Sequence, residues 1–317
     1  MSTSGRGDVP DITLVQGPTV ATVGGFDGVH LGHHRVLDEI ALRARRSARR
    51  SVLVTFEPHP LEVVNPGAAP PLLTLPAERR EVLAQSNLDV VVFLRFTEEL
   101  SHYTPEEFVH LLLRRFDIRE LVIGEDHGFG RGRAGDVAVL QRLGAALGFA
   151  VDVVPPVIVD GRAVSSSLIR RAVAGGDLDA ARRLLGRPYS LTAPVIPGAG
   201  RGRSVGYRTV NLRLPDRRKL LPPDGVYAVR AEWATGAAGG MMHLGPRPTF
   251  DDRRRSLEVH LFDVDTDLYG AEVKVAWIAR LRDVMSFPSV AALRRQLDSD
   301  FVAARAALTG YTASASH

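Results

Sequence analysis

The sequence reads as two folded parts in tandem: an α/β part with a parallel sheet over 1–186, and a small antiparallel β part over 187–317 that closes on a helix. Three observations carry this. Apolar strand-like runs alternate with helical periodicity through the first half, as in a parallel sheet wrapped on both faces. The first of those strands breaks into Gly24-Gly25-Phe26-Asp27-Gly28-Val29-His30-Leu31-Gly32-His33 before a helix starts. After Gly186 the helical period vanishes until the C-terminus. Short runs divided by Gly, Pro and Asp replace it, the spacing of a small barrel or sandwich.

Composition narrows the class. At 317 residues the chain exceeds one typical domain, and its 45% hydrophobic and 24% charged residues are those of an ordinary soluble protein. No apolar run approaches the roughly 20 residues that span a bilayer, and the N-terminus lacks an apolar leader core. Cysteine is absent, which excludes disulfides, thiolate catalysis and Cys-zinc sites. A cytoplasmic protein without membrane partners is the expectation. Net charge is +4, and Lys219 and Lys274 are the only lysines. The arginines are scattered among acids, so the runs at Arg43–Arg46 and Arg49–Arg50 read as solvated surface. Aromatics, at 6%, are too dispersed for a base-stacking platform, and no nucleic-acid partner is expected. Oligomeric state is not legible.

Taken in order, Thr19 to Val23 is a buried strand, and Val36, Leu37, Ile40 and Ala41 recur at helical spacing beyond His33. Backbone N–H groups at that helix start, with its positive dipole end, form an anion site. His30 and His33 stand three apart and share a face. Two imidazoles there suit charge stabilisation during phosphoryl or nucleotidyl transfer. Half of a metal site is the rival reading, with no cysteine or carboxylate cluster nearby to complete it. Ser51 to Phe56 is a second strand ending in Glu57-Pro58-His59-Pro60, where His59 is either a site residue or incidental to a rigid turn. A loop over 65–76 and a helix over 77–85 follow. The third strand is 89–96. Thr104-Pro105-Glu106-Glu107 is a capping box for a helix through Phe116 that buries Phe108, Leu111 and Leu112.

The fourth strand, 121–124, runs into Glu125-Asp126-His127-Gly128-Phe129-Gly130-Arg131-Gly132-Arg133, whose glycines and arginines invite a phosphate or an adenine. A helix over 137–147 and a strand over 150–154 complete the alternation. Ser165-Ser166-Ser167 open another helix with Arg170 one turn in. Serine there is commonly only a cap, yet hydroxyls and a guanidinium together can grip a triphosphate. A short helix over 177–185 ends at Gly186, a C-terminal glycine. Ligands of such a sheet sit beyond the strand C-termini, where the glycine turn, His59, Asp126 and Ser166 fall.

In the second half, strands are expected at 191–196, 225–233, 240–244, 256–262 and 272–281, and an amphipathic helix at 289–308 with Leu293, Leu297, Phe301 and Ala304 on one face. Gly198-Ala-Gly200-Arg201-Gly202-Arg203 is either a phosphate loop or merely flexible. Thr209 and Asn211 are two apart on an extended segment and face one side. Their oxygens are hard donors suited to Mg²⁺. Glu258 and His260 face away from Leu257, Val259 and Leu261.

Several strings carry a resemblance. His30-Leu31-Gly32-His33 is similar to the HxGH signature of the nucleotidylyltransferase superfamily. The longer FDGVHLGH resembles prokaryotic bifunctional riboflavin kinase/FAD synthetases. Pro58-His59-Pro60 matches that family's FxPHP, SSSLIR its SSTxIR, and GYRTVN the riboflavin kinase GxPTAN. GPRPTF, LEVH and DLYG are similar to family strings as well. The resemblance implies a Rossmann-like nucleotidylyltransferase domain over 1–186 and a β-barrel riboflavin kinase domain over 187–317. It implies ATP-dependent phosphorylation of riboflavin to FMN with Mg²⁺, then adenylylation of FMN to FAD with release of pyrophosphate. His30 and His33 would stabilise charge on the transferring phosphates. Gly24, Phe26, Asp27, His59, Asp126, Ser166, Ser167, Arg170, Gly200 and Arg203 would hold nucleotide. Thr209 and Asn211 would hold the metal, and Glu258 would be the base for the ribityl 5′-hydroxyl. The sequence departs from the family at Gly25 (Asn), His127 (Phe), Ser167 (Thr), Ala193 (Gly), Arg208 (Pro) and Val210 (Ala). Those departures keep a second account open: a paralogue with one active module or altered preference, or a flavin-binding regulator.

Overall fold

Short apolar runs in β spacing, each followed by an amphipathic helix, pair in parallel when the helix crosses back over the sheet. That is the architecture of the first half in the computed structural model, which describes residues 15–125, 135–198, 207, 209–247 and 252–311. Asp126, His127, Gly200, Arg203 and Arg208 lie outside the described residues. The chain packs as two units, Met1–Pro70 with Arg79–Val164 and Pro71–Glu78 with Ser165–His317.

The first unit runs β1 (Thr19–Gly24), α1 (Leu31–Arg46), β2 (Arg50–Glu57), α2 (Pro60–Val64), a 3₁₀ turn (Pro66–Ala68), α3 (Pro76–Ala84), β3 (Val90–Arg95), α4 (Glu98–Ser101), α5 (Pro105–Phe116), β4 (Ile118–Gly124), α6 (Val137–Leu147), β5 (Ala150–Val154) and the two-residue strands β6 (Ile158–Val159) and β7 (Arg162–Ala163). The unit boundary falls inside α3, between Glu78 and Arg79. The five-stranded sheet has order β3-β2-β1-β4-β5, with every pairing parallel. The order reverses beside β1, which is where ligands of open α/β sheets bind.

The period of two sends alternate β1 residues to opposite cores. Val20 joins Leu53, Val122 and the α1 residues Val36, Leu37 and Ile40 on one face. Ala21 and Val23 join Phe108, Leu112 and Leu140 on the other. The α5 capping box forms as expected: Thr104 Oγ1 accepts from Glu107 N–H at 3.2 Å, and Glu107 Oε2 accepts from Thr104 N–H at 2.9 Å. Four features differ from expectation. α2, α4 and the β6–β7 hairpin are too short to show a period in sequence. The 65–76 stretch also carries the 3₁₀ turn.

The second unit comprises α7 (Ser166–Gly175), α8 (Leu178–Leu185), β8 (Ser190–Ile196), β9 (Val210–Leu212), β10 (Gly225–Trp233), β11 (Gly236–Arg247), β12 (Asp252–Leu261), β13 (Glu272–Arg282) and α9 (Val290–Gly310). Its strands close into a barrel in the order β10-β11-β12-β9-β8-β13. The sandwich alternative is thereby excluded. β9 was expected only as extended chain; it is the strand that joins β8 to β12 and so closes the ring. α8 ends at Gly186 with φ 76°, a left-handed position glycine adopts without strain.

α9 lays Leu297, Phe301 and Ala304 against Ala228, Met241 and Phe262. One residue breaks the expected apolar face. Asp300 is 3% exposed because Arg282 grips it through two nitrogens at 2.7 and 2.9 Å. The segment Pro71–Glu78 packs within the second unit. Leu72 exchanges backbone bonds with Arg218 and Leu220, each at 2.8 Å. Lys219 Nζ donates to Leu73 O and Glu78 Oε2, both at 2.7 Å.

Candidate active sites

The glycine turn between β1 and α1 is built around aromatic rings. Phe26 and Val29 have φ of 48° and 39°, and Gly28 has 83°. A fully buried β-branched residue in the left-handed region persists only where its surroundings hold it there. A Cβ on Gly24 would reach 3.0 Å from the Phe26 ring, and one on Gly32 would reach 3.2 Å from the His30 ring. Gly25 meets nothing within 4 Å, so a larger family residue would fit at that position.

His30 and His33 form a reciprocal cap on α1. His30 Nδ1 accepts from His33 N–H and His33 Nδ1 accepts from His30 N–H, each at 3.3 Å. The rings stack with centroids 3.6 Å apart, and Phe26 packs on His33 at 4.5 Å. An accepting Nδ1 carries no proton, so each neutral ring bears its proton on Nε2. The pair therefore supplies two N–H donors beside the helix N-terminus. Asp27 is 4% exposed within the same turn. His59 is the N-cap of α2, its Nδ1 accepting from Leu61 N–H at 3.2 Å.

Arg79, which the sequence did not single out, reaches the same turn. It donates from Nη1 to Gly25 O at 2.8 Å and from Nη2 to Phe56 O at 2.7 Å. Thr55 Oγ1 donates a second bond to Gly25 O at 3.0 Å. Burial lowers the Arg79 pKa, while the charges of Asp27 and Glu57 oppose the shift. No pattern in the sequence distinguishes this arginine from its solvated neighbour Arg80.

In the second unit Ser165 caps α7 by accepting from Leu168 N–H at 3.3 Å. Arg170 donates from Nε to Pro71 O at 2.8 Å. Ser166 and Arg170 thus belong to the packing unit of the barrel, whereas the glycine turn belongs to the first.

Barrel register gathers the other predicted residues. Glu258 on β12 stands opposite Asn211 on β9 and opposite His243 on β11. Directly paired residues share a face, with Cβ atoms about 5 Å apart. The expected metal donor and the expected base are thus cross-strand neighbours. Ser256 Oγ donates to Glu258 Oε1 at 3.1 Å. The period of two already put Ser256 on the Glu258 face, a signal that could have found it. A Cβ on Gly198 would overlap the Asn211 amide, so glycine leaves the space that side chain occupies. Among the described residues no group of three or more His, Cys, Asp or Glu could hold a metal.

Two family models match the chain, FAD synthetase over residues 13–168 and riboflavin kinase over residues 185–308. The chain is 35% identical over 288 residues to the bifunctional riboflavin kinase/FMN adenylyltransferase of Escherichia coli K12, covering 90% of this chain and 91% of that one. It is 38% identical over 289 residues to the protein of that name from Pseudomonas fluorescens, covering 90% and 92%. The chain belongs to the bifunctional riboflavin kinase/FMN adenylyltransferase family. Like the family, it phosphorylates riboflavin to FMN and adenylylates FMN to FAD, with ATP as the second substrate of both reactions. A crystal structure described as a macrolide-efflux protein from Streptococcus pneumoniae is 32% identical, with TM-score 0.84 over 94% of this chain and 96% of that one. That description belongs to the neighbour. Among the described residues of this family member, no helix is long and apolar enough to cross a membrane.

Proposed function

We propose that the two reactions divide near residue 186, with FMN adenylylation assigned to 1–186 and riboflavin phosphorylation to 187–317. In the first, an FMN phosphate oxygen attacks the α-phosphorus of ATP, and the bond to pyrophosphate breaks. No protein nucleophile takes part. His30 and His33 donate Nε2–H to the phosphate oxygens on which charge builds, reinforced by the α1 N-terminus. Gly24, Phe26, Asp27, His59, Asp126, Ser166, Ser167 and Arg170 are assigned to nucleotide binding. The reciprocal cap is the observation that supports this most, because it sets both rings as Nε2–H donors before substrate arrives.

In the second reaction Glu258 takes the proton of the riboflavin 5′-hydroxyl as that oxygen attacks the γ-phosphorus and ADP leaves. Gly200 and Arg203 are assigned to the ATP phosphates. Thr209 and Asn211 would hold Mg²⁺, which supplies neutralisation of phosphate charge. The space that Gly198 leaves for the Asn211 amide, and the pairing of Asn211 with Glu258, fit that role. A cytoplasmic location, without nucleic-acid or membrane partners, accompanies the proposal and rests on the absence of cysteine and the scattered charge.

The test is the double variant His30→Ala/His33→Ala. FAD formation should fall at least about 10²–10³-fold, while FMN formation by the same protein holds. Unimpaired FAD formation would overturn the assignment.

A further inference from the structure

Both turns that carry predicted residues of the adenylylation site end neighbouring parallel strands. Gly25 follows β1, and Phe56 is the penultimate residue of β2. A single side chain bonds the backbone of both. Arg79 is 7% exposed, and its guanidinium donates one Nη to Gly25 O and the other to Phe56 O. Its Nε is buried without a hydrogen-bond partner. Glu57 Oε2 stands 3.8 Å from Nη2, and the Phe93 ring centroid lies 5.6 Å from the guanidinium carbon.

A methionine of similar length would fill this space beside Phe93 without taking a charge out of water. What the charge adds is the fork, two donors at fixed angles that tie two carbonyls to one plane. Lysine, a single point charge, cannot hold both with that geometry. One tied carbonyl, Gly25 O, lies two residues before Asp27 and five before His30. Thr55 also donates to it, so side chains from both β2 and α3 hold the atom from which the histidine turn departs.

We propose that Arg79 is a positioning residue for FMN adenylylation, holding the glycine turn and the end of β2 in the register that aims the His30–His33 pair. It acts through those backbone carbonyls and not on substrate. The proposal rests on the assignment of the histidine pair made above.

The experiment uses the full chain with Arg79→Met and Arg79→Lys, at a temperature well below the melting point of each. A misplacement of about 1 Å costs up to about 10²-fold in rate. FAD formation should therefore lose about 10- to 100-fold in kcat in the Met variant and less in the Lys variant. KM for ATP and for FMN should stay within about threefold, since no substrate contact is lost, and kcat for FMN formation should hold. Three results overturn the proposal. One is unchanged kcat for FAD formation in the Met variant. Another is a raised KM for ATP at unchanged kcat, the mark of direct ligand contact. The third is a parallel fall of both reactions, the mark of general unfolding. If the Met variant does not fold, the Lys variant decides by the same criteria. His30→Ala/His33→Ala serves as the control: full FAD formation there refutes the histidine assignment, whereas its loss with an unimpaired Arg79→Met refutes Arg79 alone.

Discussion

A histidine caps a helix only through a ring nitrogen that carries no proton, so the cap on α1 and the donor on its far side are one arrangement. The same economy operates at Ser256, whose hydroxyl donates to Glu258 at 3.1 Å. That bond fixes the orientation of the Glu258 side chain, and a misplaced reacting group costs up to about 10²-fold in rate. Ser256→Ala should therefore lower kcat for FMN formation about tenfold and leave FAD formation untouched. Steady-state rates of the two reactions on one preparation check this, and an unchanged kcat would sink it. Asp89 carries a pH effect of defined sign. The N–H and hydroxyl of Ser51 both donate to its carboxylate, at 2.8 and 2.7 Å, and hold its pKa below the usual range. A depressed folded pKa adds stability that is present above the unfolded value and is lost as pH falls through the folded one. Asp89→Ala should melt below the parent at neutral pH, and the gap should narrow on acidification. A gap that widens toward low pH would refute it.

At the scale of elements, α9 is fastened as much by charge as by its apolar stripe. Arg282 of β13 meets Asp300 through two nitrogens, and Gln296 Nε2 donates to Asp300 Oδ1 at 2.9 Å. Tyr207 donates to Asp298 at 2.6 Å, and burial with that bond pushes its pKa up to about 12. It remains a donor across the neutral range and ties its own position to α9. Removing one member of a buried pair strands the other charge. Arg282→Met should cost about 3–5 kcal/mol in urea unfolding, and Arg282→Met/Asp300→Leu should recover most of that loss. A double variant no more stable than the single one would refute the pairing.

At the scale of the molecule, packing units and sequence order do not coincide. Segment Pro71–Glu78 belongs to the barrel unit, and its Glu78 holds Lys219, with side chains 8% and 1% exposed. Lys219 also sits 4.5 Å from the Tyr189 ring centroid. In the full chain Lys219→Met leaves Glu78 buried without its cation and should lower the melting temperature. In a Glu78→Gln background the buried anion is already gone, and the same substitution should cost less. Thermal melts of the four full-length proteins check the difference; an equal loss in both backgrounds would refute it.

Local rules carried far. The alternation of β1 through β5, the Thr104 capping box, the Gly186 stop and the bounds of α6, β5 and β10 were legible because each depends on neighbours a few residues away. The His30–His33 spacing was legible for the same reason, as was Glu258 standing on the polar face of its strand. Distant partners were not. Arg79 is one arginine among many until the fold carries Gly25 and Phe56 to it. Asp300 interrupts an apolar face, and only the return of β13 supplies Arg282. Asn211 and Glu258 are 47 positions apart in number, and their pairing is set by register between strands, which no single strand encodes. Period and capping are short-range properties of the backbone. Burial of charge is feasible only where tertiary structure delivers the compensating group.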